Sequence, residues 1–482
     1  MKATFKIITY FLLAIWILPG CKKILEENPK TFVSPNAFYT SPSSYELTVM
    51  GIYRTIPSTI GGYNWISRES FSDIIGTVSG SFEQGLPVYQ NNHQPFFYCV
   101  RALWANHYAI VKDANFILKK IGESTILPDA QKSSFSAEAR FLRAYAYFQL
   151  VQLFGDVPLR TEPLEDLANV QFERNPQQEV YNLVVEDLTY AELNLPDNAT
   201  TGRVYKLAAT ALLAKVYLTM AGNPLNQTQY YSNARDKALA VINSGKFTLN
   251  NDYAEAFHKT TYTSESIWEQ TYQPGVGGNP LMQNSATAPG YGYILTPATW
   301  FINSFAAGDQ RKAWGIKENY VAPGGTLAPF FQKFVNLNWI DEGVNNANAG
   351  TLEYTVPLLR LAEMYLIAAE AENEINGPGN AYQYINKIRW RARVNKSDPT
   401  HVPDLAGLTK DTFREAVLME RKWELHLEGN SWYDLKRTNT LNRIQTIRGP
   451  ELVHPIGTYN NTWYIPDNEI TNNNILQNPT YE

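Results

Sequence analysis

The stretch Ala137-Glu138-Ala139-Arg140-Phe141-Leu142-Arg143-Ala144-Tyr145-Ala146-Tyr147-Phe148-Gln149-Leu150-Val151 decides how the chain is read. Within it Ala137, Phe141, Ala144, Phe148 and Val151 recur at steps of four, three, four and three, the period of one buried helical face. Gly155 stands just beyond as a stop. The signature returns in Leu207, Ala211, Ala214, Leu218 and Ala221 before Gly222, and in Leu358, Leu361, Tyr365 and Ala368 before Gly377. Shorter partners follow these two, with Ala234, Ala238 and Val241 ending at Gly245 and Ala381, Ile385 and Ile388 ending near Arg393. Weaker patterns predict helices over 44–58 and 102–121. The fold class is mostly α. A small-residue helix, a turn and a second helix form the unit of a tetratricopeptide array, since alanine at a crossing lets backbones approach. The intervals between units are irregular, so the period alone serves degenerate repeats and an ordinary helical bundle equally.

Composition narrows the function. The chain has 482 residues, 44% hydrophobic and 18% charged, the profile of a packed globular protein. With 41 Lys and Arg against 46 Asp and Glu it carries a formal charge of −5, which argues against a nucleic-acid binder. Phosphate-binding loops and nucleophile elbows are missing from the sequence, and the six histidines are scattered, so no cofactor and no catalytic metal are expected. Asp341-Glu342-Gly343 lacks the spaced oxygens of a calcium loop. Glu420, Glu424 and Glu428 fall at steps of four; they are expected to form ion pairs or caps on a solvated helix flank rather than a glycosidase pair.

The first twenty residues read as a secretory signal peptide: Lys2 and Lys6, an apolar run from Ile7 to Leu18, then Pro19 and Gly20. The run is shorter than the roughly 20 apolar residues of a membrane span. Leu18-Pro19-Gly20-Cys21 looks like a bacterial lipobox, which would make Cys21 the lipidated first residue of the mature chain. A plainly cleaved signal peptide is the alternative. Residues 21–40 read as a tether.

Two aromatic segments, about 60–101 and 262–345, show neither helical nor strand periodicity and read as loop insertions. Long loops inside a packed protein usually serve binding. Aromatic faces among amides and guanidinium groups suit sugar rings, which stack through their C–H surface while their hydroxyls take hydrogen bonds. On composition, the candidate ligand residues are Asn64, Trp65, Arg68, Asn284, Tyr291, Tyr293, Trp314 and Trp339.

Four stretches carry a resemblance to a known family: Leu25-Glu26-Glu27-Asn28-Pro29 with Pro35-Asn36-Ala37-Phe38-Tyr39, the 137–148 helix running into Phe154-Gly155-Asp156-Val157-Pro158-Leu159, Glu420-Arg421-Lys422-Trp423-Glu424-Leu425 with Glu428-Gly429-Asn430-Ser431-Trp432-Tyr433-Asp434-Leu435-Lys436-Arg437, and Tyr464-Ile465-Pro466-Asp467 through Asn478-Pro479. The chain is similar to the SusD/RagB family of Bacteroidetes, surface nutrient-binding lipoproteins, over the whole of 21–482. The resemblance implies one mostly helical domain in which four tetratricopeptide-like helix pairs form a scaffold and a loop-rich half holds the ligand. It implies no enzyme. It further implies an outer-membrane protein, lipid-anchored and facing the cell exterior, that captures an oligosaccharide and delivers it to a partner, a SusC-like TonB-dependent transporter. Lys22 and Lys23 directly after Cys21 depart from the family's acidic or amide residues there, which bears on surface display. A peptide-binding member of the family, a secreted glycoside hydrolase and a pure tetratricopeptide scaffold are the competing readings.

Overall fold

The structure, a computed structural model, describes residues 38–78, 85–164, 171–198, 200, 202–272, 295–322, 324–335, 337–341, 354–473 and 475–479, with the side chains of Tyr63 and Trp339 excepted. The principal helices are α1 (Pro42–Tyr53), α2 (Gly62–Ser70), α3 (Tyr98–Glu123), α4 (Asp129–Phe154), α5 (Gln177–Asn194), α6 (Lys206–Ala221), α7 (Tyr230–Asn243), α8 (Leu361–Asn376), α9 (Pro378–Ala392), α10 (Lys410–Leu425), α11 (Ser431–Arg437) and α12 (Asn442–Arg448). Shorter helices are named by range. From α3 to α9 each helix packs on the next, and α10 returns to α8.

The 137–151 stretch sits at the centre of this array. Ala137, Phe141, Ala144, Phe148 and Val151 are fully buried, but so, nearly, are Glu138, Arg143 and Gln152 on the other faces. Helix α4 is covered by α3 on one side and α5 on the other. Arg143 tolerates that burial because Asp187 of α5 takes its Nε and Nη2 at 2.8 and 2.9 Å and Asn115 of α3 takes its Nη1 at 2.8 Å. The helix stops at Gly155, where φ is +75°, a conformation that glycine adopts without a Cβ penalty. At the end of α6, Gly222 permits a close crossing: a Cβ there would come 2.4 Å from the Arg437 carbonyl oxygen at the end of α11. The next amide, Asn223, donates to that same oxygen at 2.8 Å. A second core joins Ala362, Leu366 and Ala369 of α8 to Ile385 and Ile388 of α9 and Phe413 and Val417 of α10.

The strands form two-stranded antiparallel pieces. Three of the four among the described residues are β1 (Ile75–Thr77) with β3 (Thr296–Pro297), β2 (Ser266–Gln270) with β6 (Val356–Arg360), and β4 (Ile316–Lys317) with β5 (Phe330–Phe331), and the fourth pairs Val321–Ala322 with Gly325–Thr326. Leu358, expected in a helix, lies in β6; the apolar run crosses the boundary, so its helical spacing continues into a strand by coincidence. The segment expected as a loop at 60–101 contains α2, the short helix Leu86–Tyr89 and the start of α3. Residues 64–70 of α2 are all buried, although Asn64, Ser67, Arg68, Glu69 and Ser70 are polar, and a helix of nine residues is shorter than the window in which a period registers. In 262–345 the described elements run from two to six residues, too short for periodicity to register. The flank holding Glu420 and Glu424 is buried, not solvated, and Glu428 lies beyond the end of α10.

Candidate functional site

Helix α2 turns three of the expected ligand residues inward. Asn64 donates from Nδ2 to the Ser58 carbonyl at 2.7 Å, Trp65 from Nε1 to the Leu427 carbonyl at 3.2 Å, and Arg68 from Nη2 to the Thr59 carbonyl at 3.2 Å. Trp65, 2% exposed, and Arg68 share an enclosed cavity of about 60 Å³ with Tyr145, Trp268 and Lys215. That holds a few waters and falls far below the roughly 300–1,000 Å³ of ligand pockets. Trp314 stacks on Phe257 at 5.8 Å and 17°. Ring contacts continue from Phe257 through Phe334 to Trp65, so Trp65 and Trp314 belong to one packing spine. Trp339 falls in the helix Leu337–Asp341. Asn284, Tyr291, Tyr293 and Cys21 lie outside the described residues.

A larger and more open pocket, about 550 Å³, is built where β1 meets β3. Its walls include Tyr89, Trp300, Pro329, Arg448 and Glu451. The two strands meet closely because position 76 is glycine; a Cβ there would stand 2.8 Å from the Ala298 Cα. Trp300 donates from Nε1 to the Asp73 carbonyl at 2.9 Å, and the Arg443 guanidinium lies 5.4 Å from its ring centroid. The Asp73 carboxylate in turn takes Lys422 of α10 at 2.6 Å and Arg443 at 2.9 Å. Burial works to raise that carboxyl, yet the two cations hold it below the usual range. The family-like helix α10 thus braces the tryptophan through Asp73.

The Tyr89 hydroxyl stands 2.5 Å from the Gly76 carbonyl and 3.0 Å from Glu451 Oε2, sharing its proton between two acceptors. Burial pushes this phenol up to about 12 despite Arg448 beside it. Arg448 is 1% exposed and sits 4.0 Å over the Tyr89 ring, its Nη1 donating to the Ser70 and Tyr89 carbonyls at 2.9 and 3.2 Å. The composition-based choice missed Tyr89 and Trp300, although both belong to the aromatic segments it singled out. Their signal was the apposition of 76 and 298, which no spacing within one segment reveals.

The acidic motif of α10 is occupied. Glu420 takes Arg311 at 2.6 Å and Arg389 at 2.7 Å; Glu424 takes Arg360 at 2.6 Å and also Arg391. Glu428 takes Arg360 at 2.7 Å and Lys333 at 2.8 Å. Burial acts to raise Glu424, but Arg391, Arg360 and Arg311 together hold it well below the ordinary carboxylate range. These carboxylates brace the C-terminal helices, and Glu428 also lines the small cavity beside Trp65 and Arg68.

Comparison with known proteins assigns the family. The model of the SusD family matches residues 173–481, and a second, described as starch-binding and associating with the outer membrane, matches 65–218. The chain belongs to the SusD family. A SusD-like protein of Formosa agariphila is 29% identical over 88% of each chain, and the starch-binding protein SusD of Bacteroides thetaiotaomicron is 25% identical over 76% of each. Among solved structures, a laminarin-binding SusD-like protein matches with a TM-score of 0.76 at 24% identity, covering 92% of this chain and all of its own. A SusD superfamily protein from Bacteroides vulgatus matches at 0.78 with 20% identity, covering 92% and 99%. The helix array described above is the tetratricopeptide-like scaffold of SusD proteins. Among the described residues no helix is long and apolar enough to cross a membrane.

Proposed function

We propose that this SusD-family protein is a glycan-binding lipoprotein without catalytic activity, anchored through Cys21 on the exterior of the outer membrane, which captures an oligosaccharide and delivers it to a SusC-like TonB-dependent transporter. The observation that carries the capture step is the open pocket of about 550 Å³ with Trp300 and Tyr89 in its walls, room and aromatic surface for a sugar ring. Tyr291 and Tyr293 stand five and three residues before Thr296, which lines the pocket, so they and Asn284 stay in the proposed site. Relatives named for binding starch and laminarin support a glycan. Glu451 is the one acid among the pocket's described lining residues, whereas glycoside hydrolysis ordinarily takes a facing pair. Tethering keeps the protein's local concentration at the membrane high, which makes modest affinity sufficient for hand-over.

The test is titration of the purified protein with a panel of starch, laminarin and other oligosaccharides, with product analysis on the same samples. Binding without release of shorter sugars is expected, and turnover abolished by one acidic substitution would overturn the reading. Delivery is tested by purification from outer membranes, where a large barrel protein should accompany the chain. Surface display is tested on intact cells, where added protease should cut it.

A further inference from the structure

Ten arginines among the described residues are buried, and eight of them hold a carboxylate: Arg143, Arg311, Arg360, Arg389, Arg391, Arg393, Arg421 and Arg437. Arg68 and Arg448 do not. Arg68 faces the cavity of about 60 Å³, which has no room for a ligand, whereas Arg448 lines the open pocket of about 550 Å³. Its Nη1 is used by two backbone carbonyls, but Nε and Nη2 find no acceptor. A buried guanidinium with no carboxylate hydrogen-bonded to it is costly, and its two parallel donors match the paired oxygens of a carboxylate or sulfate.

From this geometry we infer that the pocket takes a sugar bearing a negative charge, a uronate carboxylate or a sulfate ester, and that Arg448 is the residue that selects it. The inference rests on the glycan reading above and narrows its substrate class. The charged groups around the site support it: Arg448, Arg443 and Lys422 stand against Asp73 and Glu451, an excess of one positive charge in a chain whose formal charge is −5. Asp73 is taken up by Lys422 and Arg443, and Glu451 faces the Tyr89 hydroxyl. Neither leaves a carboxylate hydrogen-bonded to Arg448. Nε and Nη2 of this pocket-lining residue are both buried, where charge is weakly screened. An anion in the pocket is drawn by that field, and the donor pair is the proposed point of contact.

The experiment compares matched pairs by calorimetric titration of the purified protein: polygalacturonate against its methyl-esterified form, and a sulfated galactan against the same galactan desulfated. The two pairs separate a carboxylate from a sulfate. At least one charged member should bind tenfold or more tightly than its neutral counterpart, with the ratio shrinking as salt rises. Arg448→Met should bring the ratio near one, and Arg448→Lys should restore only part of it. Should Arg448→Met fail to fold, the wild-type ratio and its salt dependence decide. A ratio near one in both wild-type pairs, or a full preference kept by Arg448→Met, overturns the inference. Neutral sugars bound equally well and lost in Trp300→Ala would sink the anionic class while the glycan reading stands; binding to no member of either pair would count against both.

Discussion

Trp300 is fixed on two sides before any ligand arrives, by its bond to the Asp73 carbonyl and by Arg443 against its ring. A stacking platform held this way loses little freedom when a sugar settles on it. Trp300→Ala should therefore weaken glycan capture by about 1–3 kcal/mol while the melting temperature stays near that of the parent, read by titration and by thermal melting. Gly76→Ala should act differently. The added methyl meets backbone at 2.8 Å on the facing strand, so β1 and β3 must separate, and a loss of about 1–3 kcal/mol in stability should accompany weaker binding. Trp314→Ala should cost mainly stability, because its ring packs on Phe257. At this scale the sequence offered aromatic residues in number but not their partners. Trp65 and Trp300 look alike along the chain, and only the covering of one by Leu427 and Phe334 separates them.

Helix α10 shows how an element can carry a family-like motif as a structural brace. Its carboxylates knit α8, α9 and the β6 edge together through Arg360, Arg389 and Arg391. Glu424→Gln would remove one of the carboxylates shared by Arg360 and Arg391, which keep Glu428 and Glu265, so a loss of about 1–3 kcal/mol is expected in denaturant titration. Glycan binding at Trp300 should persist in whatever fraction folds. The spacing of Glu420 and Glu424 was readable as an ion-pairing face, but their burial was not, because the arginines that permit it come from β6, α9 and the helix Gln310–Gly315. The long helices α4 and α6 were legible from their alanine-bearing faces. Helix α2 was not, since its nine residues fall short of the window in which a period registers.

For the molecule as a whole, pH should act on stability from both directions. Burial works to raise Asp434, but Arg421 and Arg437 overcome it and hold the carboxyl down to about 2. Its stabilisation is present above the ordinary value of 3.8 and is lost as pH falls toward 2. Burial pushes Glu69 and Glu269 the other way, up to about 7, against hydrogen bonds from the Gly429 amide and the Ser266 hydroxyl. Their contribution is complete below the ordinary 4.5 and disappears as pH rises through 7. Thermal melting across pH 3–8 should therefore peak between these limits, and Glu69→Gln should flatten the decline on the upper side. The overall architecture was readable because its helix pairs repeat a local rule, while the pocket was hidden because it obeys none. Its walls come from residues 75–77, 89, 296–302, 328–329 and 447–451, stretches that share no period and meet only in three dimensions. Synthesis has to reckon with that arrangement. A chain made in order, N-terminus first, owns no part-built receptor at any halfway point, because the wall at 447–451 follows the one at 328–329 by more than a hundred residues. The cleft therefore comes into being only once its latest-made side has folded back against the earlier ones.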